Sequence, residues 1–197
     1  MLPFLMAPTL VVIRGNSGSG KTTTAREIRR RYGRGCALIE QDRLRRIILR
    51  EHDSGPDPVA PRFITTMART ALESGYHVIL EGILRTGRYG DSVRDLIAVH
   101  PGPAAVYYLD VSFDETVRRH LRRAEPIPVT PEQMRGWYQP LDVLGVPGER
   151  VVPEESSFEG TVDLILHRSG LATAAARTSC PARCPRCAAE ASSTASA

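Results

Sequence analysis

Blocks of apolar residues alternate with helical patterns along most of the chain. Thr9-Leu10-Val11-Val12-Ile13 is a continuous apolar run of the kind that forms a strand buried on both faces. A Gly/Ser-rich stretch follows, then Thr22–Tyr32, whose Ala, Arg and Glu content reads as a helix. Cys36–Glu40 reads as a short second strand and Arg43–Glu51 as a basic helix, with a Pro/Gly-rich turn over Asp53–Pro61. Arg62–Ser74 has Ile64, Met67, Ala68, Ala71 and Leu72 on one helical face and Gly75 as its stop. Tyr76–Leu80 is the third strand, ending at Glu81, and Gly87–His100 is mostly helical. Ala104–Val111 is the fourth strand, and Ser112 caps a helix to Arg123 with Glu115 at its third position. A Pro-rich loop over Ala124–Thr130 leads to a short helix, Pro131–Tyr138, opened by Thr130. Val151–Val152 is a candidate last strand and Phe158–His167 a last helix. Strands alternating with helices of this length predict an α/β three-layer sandwich: a parallel five-stranded sheet covered on both faces.

Length and composition set the organisation. The 197 residues suit one domain, and 42% hydrophobic content is enough for a packed core. No internal repeat is present. From Ala172 the chain turns to Ala, Ser, Thr, Arg, Pro and Cys without periodicity, so residues 1–171 are expected to be the folded domain and 172–197 a disordered tail. The formal charge is +4, but the tail holds Arg177, Arg183 and Arg186 against Glu190. The remaining 23 basic and 21 acidic residues nearly balance, which argues against nucleic acid as a partner. No run of 18 apolar residues exists, so no membrane span is expected. The apolar start, Met1 to Ala7, lacks the basic residues of a signal peptide. Cys36 stands alone in the body, which suits a reducing cytoplasm. In the tail, Cys180, Cys184 and Cys187 fall one ligand short of a structural zinc site, with His167 the conceivable fourth. His100 and His120 read as ordinary surface or helix-end residues. A monomer or weak dimer is expected.

The basic residues are lopsided in a way that points to one place. There are 25 arginines and a single lysine, Lys21. An ammonium is a compact point charge and a guanidinium a planar fork, so the two are interchangeable on a solvated surface but not at a phosphate. Lys21 lies in Gly15-Asn16-Ser17-Gly18-Ser19-Gly20-Lys21-Thr22, a complete G-x-x-x-x-G-K-[ST] between a strand and a helix. Such a loop turns its backbone N–H groups inward at phosphate oxygens, and the following helix adds the positive end of its dipole. The pattern implies ATP or GTP phosphates held by residues 15–22, with Thr23 alongside. Lys21 would reach the β- and γ-phosphates, and the Thr22 hydroxyl would ligate Mg²⁺.

In a parallel sheet a ligand sits beyond the carboxyl ends of the strands. Asp42 follows the second strand, Glu81 ends the third and Asp110 the fourth. Carboxylates gathered beside a phosphate site require a cation to offset them, which a phosphoryl-transfer centre supplies. Asp42 is the candidate general base, placed on the assumption that the second strand adjoins the loop-bearing strand. Glu81 is a candidate for a Mg²⁺-bound water or a substrate hydroxyl. Arg118 and Arg122, four apart on one helix face before the Pro-rich loop, are the favoured cations to close over the phosphates. Trp137, the only tryptophan, is a candidate to line the acceptor pocket or to anchor a lid helix.

The loop, Asp42 and the stretch Glu81-Gly82-Ile83-Leu84-Arg85-Thr86 together resemble the small P-loop kinases of the zeta-toxin and chloramphenicol phosphotransferase group. Gluconate and nucleotide kinases resemble it more distantly. The resemblance covers about residues 9–168, and residues 81–86 look like the E-G-x-x-R-T stretch of zeta toxins. It implies that Asp42 is base on the acceptor hydroxyl and that Glu81 and Arg85 belong to the substrate side. The chain is shorter than typical zeta toxins, and no sugar-nucleotide pocket matches. Gly136-Trp137-Tyr138-Gln139-Pro140 looks like a hallmark of smaller bacterial kinases of this superfamily. The reading is therefore an ATP- and Mg²⁺-dependent kinase acting on a hydroxyl of a small molecule. The alternative is a P-loop ATPase or switch that couples hydrolysis to a protein or nucleic-acid partner. Against that alternative, the N-K-x-D stretch of guanine-specific switches is absent, as are the adjacent acids of motor ATPases.

Overall fold

A computed structural model describes residues 7–52, 58–122 and 128–174. The strands are β1 (Leu10–Gly15), β2 (Cys36–Glu40), β3 (His77–Glu81), β4 (Ala104–Asp110) and β5 (Arg150–Pro153). They form one sheet in the order β2-β3-β1-β4-β5, with every neighbouring pair parallel. The helices are α1 (Lys21–Tyr32), α2 (Gln41–Arg43, running on into a π turn over Leu44–Ile48), α3 (Ala60–Glu73), α4 (Thr86–Val99), α5 (Phe113–Leu121), α6 (Pro131–Trp137) and α7 (Phe158–Arg168).

The apolar run of β1 is buried throughout because its alternate side chains feed two cores. Leu10 and Val12 join Ile64, Ala68 and Leu72 of α3 and Val93 and Leu96 of α4. Val11 and Ile13 join Ala25 and Ile28 of α1 and Val162, Ile165 and Leu166 of α7 on the other face. The three-layer reading holds. Leu171 is buried in the second core, and the expected tail beyond residue 174, with its three cysteines, lies outside the described residues. Cys36 is buried, and desolvation pushes its thiol up to about 12. Among the described residues no helix is long and apolar enough to cross a membrane.

Several local expectations change. β2 is not next to β1; it is the sheet edge, and β3 lies between them. The helix after β2 begins at Gln41 rather than Arg43, which draws Asp42 into its first turn. Five residues on, the Leu49 N–H donates to the Leu44 carbonyl at 2.9 Å, the bond of the π turn. Met67, placed on the apolar face of α3, is exposed, whereas Ile64, Ala68 and Leu72 are buried. Of the surface or helix-end alternatives, His120 is the helix-end one: it is buried in the last turn of α5 and its Nε2 lies 2.9 Å from the Val129 carbonyl. The two lid helices are capped as their sequences demand. Ser112 accepts from the Glu115 N–H, and Thr130 with Gln133 forms a reciprocal capping box.

Candidate active site

The loop between β1 and α1 is shaped by backbone that only glycine adopts cheaply. Gly18 and Gly20 have φ of 82° and 96°, in the left-handed region. Gly18 also sits under α5, where a Cβ would come within 2.6 Å of the Thr116 carbonyl. Gly20 occupies the N-cap of α1, and no side chain caps that helix. The start of this helix carries no side-chain cap, and the aligned dipole there favours an anion. Lys21 is buried, its Nζ donating to the Asn16 carbonyl at 2.7 Å and to Ser19 Oγ at 3.4 Å. An uncapped helix start with a buried ammonium beside it fits nucleotide phosphates.

Glu81 is the acid the fold brings to this loop. It is buried at the carboxyl end of β3, and one carboxylate oxygen accepts from the Thr22 hydroxyl at 3.0 Å. Desolvation raises its pKa from the ordinary carboxylate range, against the opposing pull of Lys21 and the Thr22 hydrogen bond. The hydroxyl and carboxylate are both oxygen donors, which suits Mg²⁺. Glu40 stands opposite Glu81 in the parallel register and binds Arg26 Nε at 2.6 Å. Asp110 is half-buried at the end of β4, close enough to Tyr138 to help raise that phenol's pKa after burial has done most of it.

The other predicted positions are distributed differently. Asp42 is exposed, and its carboxylate accepts from Arg45 at 3.0 Å and Arg46 at 3.4 Å. Its inward neighbour is Gln41, buried against Gly82 with Nε2 donating to the Tyr89 hydroxyl at 3.2 Å. Arg118 is exposed and paired with Glu115, and Arg122 is exposed at the end of α5. The helix residue that reaches the loop is instead Arg119: its Nη1 donates to the Ser19 carbonyl at 3.3 Å while its Nε binds Glu115 at 2.6 Å. The i, i+4 pairing of 118 with 122 did identify one face of α5, but the loop lies under the adjacent face.

On the acceptor side, Arg85 Nη2 donates to the Trp137 carbonyl at 3.0 Å. Trp137 is half-buried, and its indole Nε1 is buried with no hydrogen-bond partner. It lines a small cleft with Asn16, Ser17, Thr116, Met134 and Tyr138. An orphaned buried donor carries a desolvation cost.

Sequence reasoning missed Arg14, the residue before the loop. It is fully buried, donates to the Leu84 carbonyl at 2.8 Å and Thr86 Oγ1 at 2.9 Å, and pairs with Asp142 at 3.1 Å and Glu149 at 3.5 Å. The available signal was an arginine closing a run of apolar strand residues.

Three structures of known proteins share the fold. The Mycobacterium tuberculosis APS kinase CysC with AMPPNP and APS is 17% identical, covering 86% of this chain and 99% of that one, with a TM-score of 0.64. A sugar kinase from Janibacter sp. HTCC2649 is 20% identical over 86% and 99%, at 0.61. A gluconokinase from Sinorhizobium meliloti 1021 is 21% identical over 85% and 94%, at 0.59. No curated protein matches the chain. Residues 10–142, which include the loop, Glu81, Arg85, Arg119 and Trp137, match the family described as an AAA domain. With that match over more than half its length and a P-loop kinase-like fold, the chain belongs to the AAA domain family.

Proposed function

We propose that the protein is a Mg²⁺- and ATP-dependent kinase that phosphorylates a hydroxyl group of a small molecule. The observation that carries this reading is the contact between Thr22 and Glu81 beside Lys21, with Arg85 and Trp137 at the adjoining cleft. Similar folds in an APS kinase, a gluconokinase and a sugar kinase support it. Within that class the motifs stand nearest to the zeta-toxin and chloramphenicol phosphotransferase group.

Bound Mg²⁺·ATP supplies the transferable phosphoryl group. The backbone of Gly15 to Thr22, with Thr23, holds the phosphates, and Lys21 offsets their charge as it shifts toward the leaving oxygen. Thr22 and Glu81 hold the metal or its water. Asp42, oriented by Arg45 and Arg46, takes the proton from the acceptor hydroxyl. Arg85 and Trp137 orient the acceptor. Arg119 is the cation placed to steady the phosphates from α5, with Arg118 and Arg122 further out on that helix.

An ATP-consumption screen over sugars, nucleosides and aminoglycosides, read beside basal hydrolysis, tests the proposal. One hydroxyl class is expected to raise consumption well above basal and to appear as its phosphate ester. Consumption stimulated only by a protein or nucleic acid, with no phosphorylated small molecule, would favour the coupled ATPase instead.

A further inference from the structure

We infer that Asn16 is a positioning residue, whose side chain fastens the phosphate loop to the 137–142 segment and so holds the acceptor-side groups in register with Lys21. This deepens the kinase reading, on which it rests for the roles of Arg85 and Trp137.

Asn16 is buried, and its carboxamide bonds to Gln139 and Tyr108. Its Nδ2 donates to the Gln139 carbonyl at 2.7 Å, and its Oδ1 accepts from the Gln139 N–H at 3.0 Å. One side chain thereby takes both main-chain groups of a residue 123 positions away. The orientation of the amide follows from its partners, since a backbone N–H only donates and a carbonyl only accepts. The Tyr108 hydroxyl braces the joint, accepting from Asn16 Nδ2 at 3.2 Å and donating to the Gln139 carbonyl at 3.1 Å.

The same residue meets Lys21 through its main chain, because the Asn16 carbonyl is the 2.7 Å acceptor of Nζ. Along the 137–142 segment, Trp137 offers its carbonyl to Arg85 two residues before Gln139. Three residues after it, the Asp142 carboxylate accepts from the Thr86 N–H at 3.0 Å and pairs with Arg14. The segment is therefore tied on the acceptor side by Arg85 and Thr86 and on the donor side by Asn16. Leu141, with φ of 48°, is held in the left-handed region between these ties. A displacement of the loop when phosphates engage Lys21 must be passed to Trp137, because Asn16 joins both. Removing the carboxamide takes the acceptor from the part-buried Gln139 N–H, leaves the carbonyl only the Tyr108 hydroxyl, and loosens the segment from the loop.

Trp137, the only tryptophan, reports the coupling without any acceptor. Tryptophan emission and calorimetry are followed while Mg²⁺·AMPPNP is titrated into wild type, Asn16→Ala and Gln139→Ala. Wild type is expected to show an emission change that saturates with calorimetric binding. Asn16→Ala, compared at a saturation set by its own calorimetric dissociation constant, should lose more than half of the emission change; if it does not bind nucleotide, Tyr108→Phe takes its place. Gln139→Ala keeps the backbone bonds and should respond as wild type does. Should Asn16→Ala fail to fold, Tyr108→Phe removes the shared hydroxyl and should diminish the response in the same direction. No emission change in wild type at saturation, a full response in Asn16→Ala or Tyr108→Phe, or loss of response in Gln139→Ala would each overturn the inference. None of these readouts depends on phosphate transfer, so they stand apart from the acceptor screen.

Discussion

Glu40 and Glu81 stand side by side at the carboxyl ends of β2 and β3, and residues four apart on α1 hold them: Arg26 takes Glu40 and Thr22 takes Glu81. Parallel register places paired side chains on one face of the sheet, and α1 presents positions 22 and 26 to that face together. The outer acid has a full counter-charge. The inner one, buried, has a hydroxyl and the field of Lys21, and desolvation still prevails.

Glu81→Gln follows from that imbalance. A carboxyl whose folded pKa is raised binds its proton more tightly in the native state, so it costs the native state stability as pH rises from about 4.5, the unfolded value, through the folded one. The glutamine variant has no such dependence. Without nucleotide its melting temperature should exceed that of wild type at pH 8, and the gap should shrink toward pH 4. Mg²⁺-dependent ATP turnover should fall by about 10²–10³. Thermal melts across pH, beside turnover, check both. A gap that is flat with pH would mean that the buried acid does not titrate with folding.

Lys21→Ala should leave the fold intact, because its Nζ donates to Asn16 and Ser19 of the loop itself and it belongs to neither core. ATP turnover should drop by about 10²–10³, the usual effect of losing one donor to developing charge. Circular dichroism with ATP calorimetry separates the two effects, and normal turnover in a folded variant would remove the loop from the reaction.

The two arginines beside each other on α5 should behave differently. Arg119→Ala removes the contact with the Ser19 carbonyl and is expected to lower turnover at least tenfold. Arg118 is exposed and meets Glu115, so Arg118→Ala should change turnover less than twofold. Steady-state kinetics on the pair decide which face of α5 attends the phosphates.

How much of this was legible beforehand depended on how local each signal was. The loop, the β1 run and the caps at Ser112 and Thr130 depend on residues within a few positions of one another, and they emerged as read. Strand order depends on crossovers, so nothing near Asp42 announced that β3 would lie between β2 and β1. Helix phase was legible for α5, but which face meets the loop is set by how the helix docks, and Thr116 over Gly18 turns Arg119 inward. The clasp of Asn16 on Gln139 spans most of the chain and uses main-chain groups of its partner, so no residue type at 139 could advertise it. Arg14 is intermediate: its oddness in an apolar strand was visible, its partners were not.

Arg14→Ala should be among the most destabilising single changes outside the cores. It strips Asp142 and Glu149 of a fully buried guanidinium and leaves the Leu84 carbonyl without a donor that it had. Breaking a buried pair from one side costs about 3–5 kcal/mol, which corresponds to a fall in melting temperature of roughly 6–20 °C for a domain of this size. Arg14→Lys should rescue little, since an ammonium cannot span Leu84, Thr86 and Asp142 at once. Differential scanning calorimetry on both variants is the check, and a loss under about 1 kcal/mol would show that the network is not structural.

Asp42→Asn tests the acceptor side. The carboxylate is exposed in the first turn of α2, two residues beyond β2, and Arg45 and Arg46 hold it without burying it. Asparagine keeps the size and can still accept from Arg45 but cannot take a proton. If Asp42 is the base, turnover with a hydroxyl acceptor should fall by about 10²–10⁴, or roughly 3–5 kcal/mol of barrier. Basal hydrolysis and ATP affinity should barely change, because neither involves the acceptor hydroxyl and the Asp42 carboxylate binds Arg45 and Arg46. The pH profile adds a second readout: an acid limb present in wild type should vanish in the variant. If Mg²⁺-dependent ATP binding collapses while bare nucleotide still binds, Asp42 serves the metal rather than the acceptor. If turnover, affinity and pH profile all stay normal, its two arginines hold it for the stability of α2 alone, and the proton must leave by way of another carboxylate. Glu81 is then the next to test, being the acid closest to the loop by measured contact.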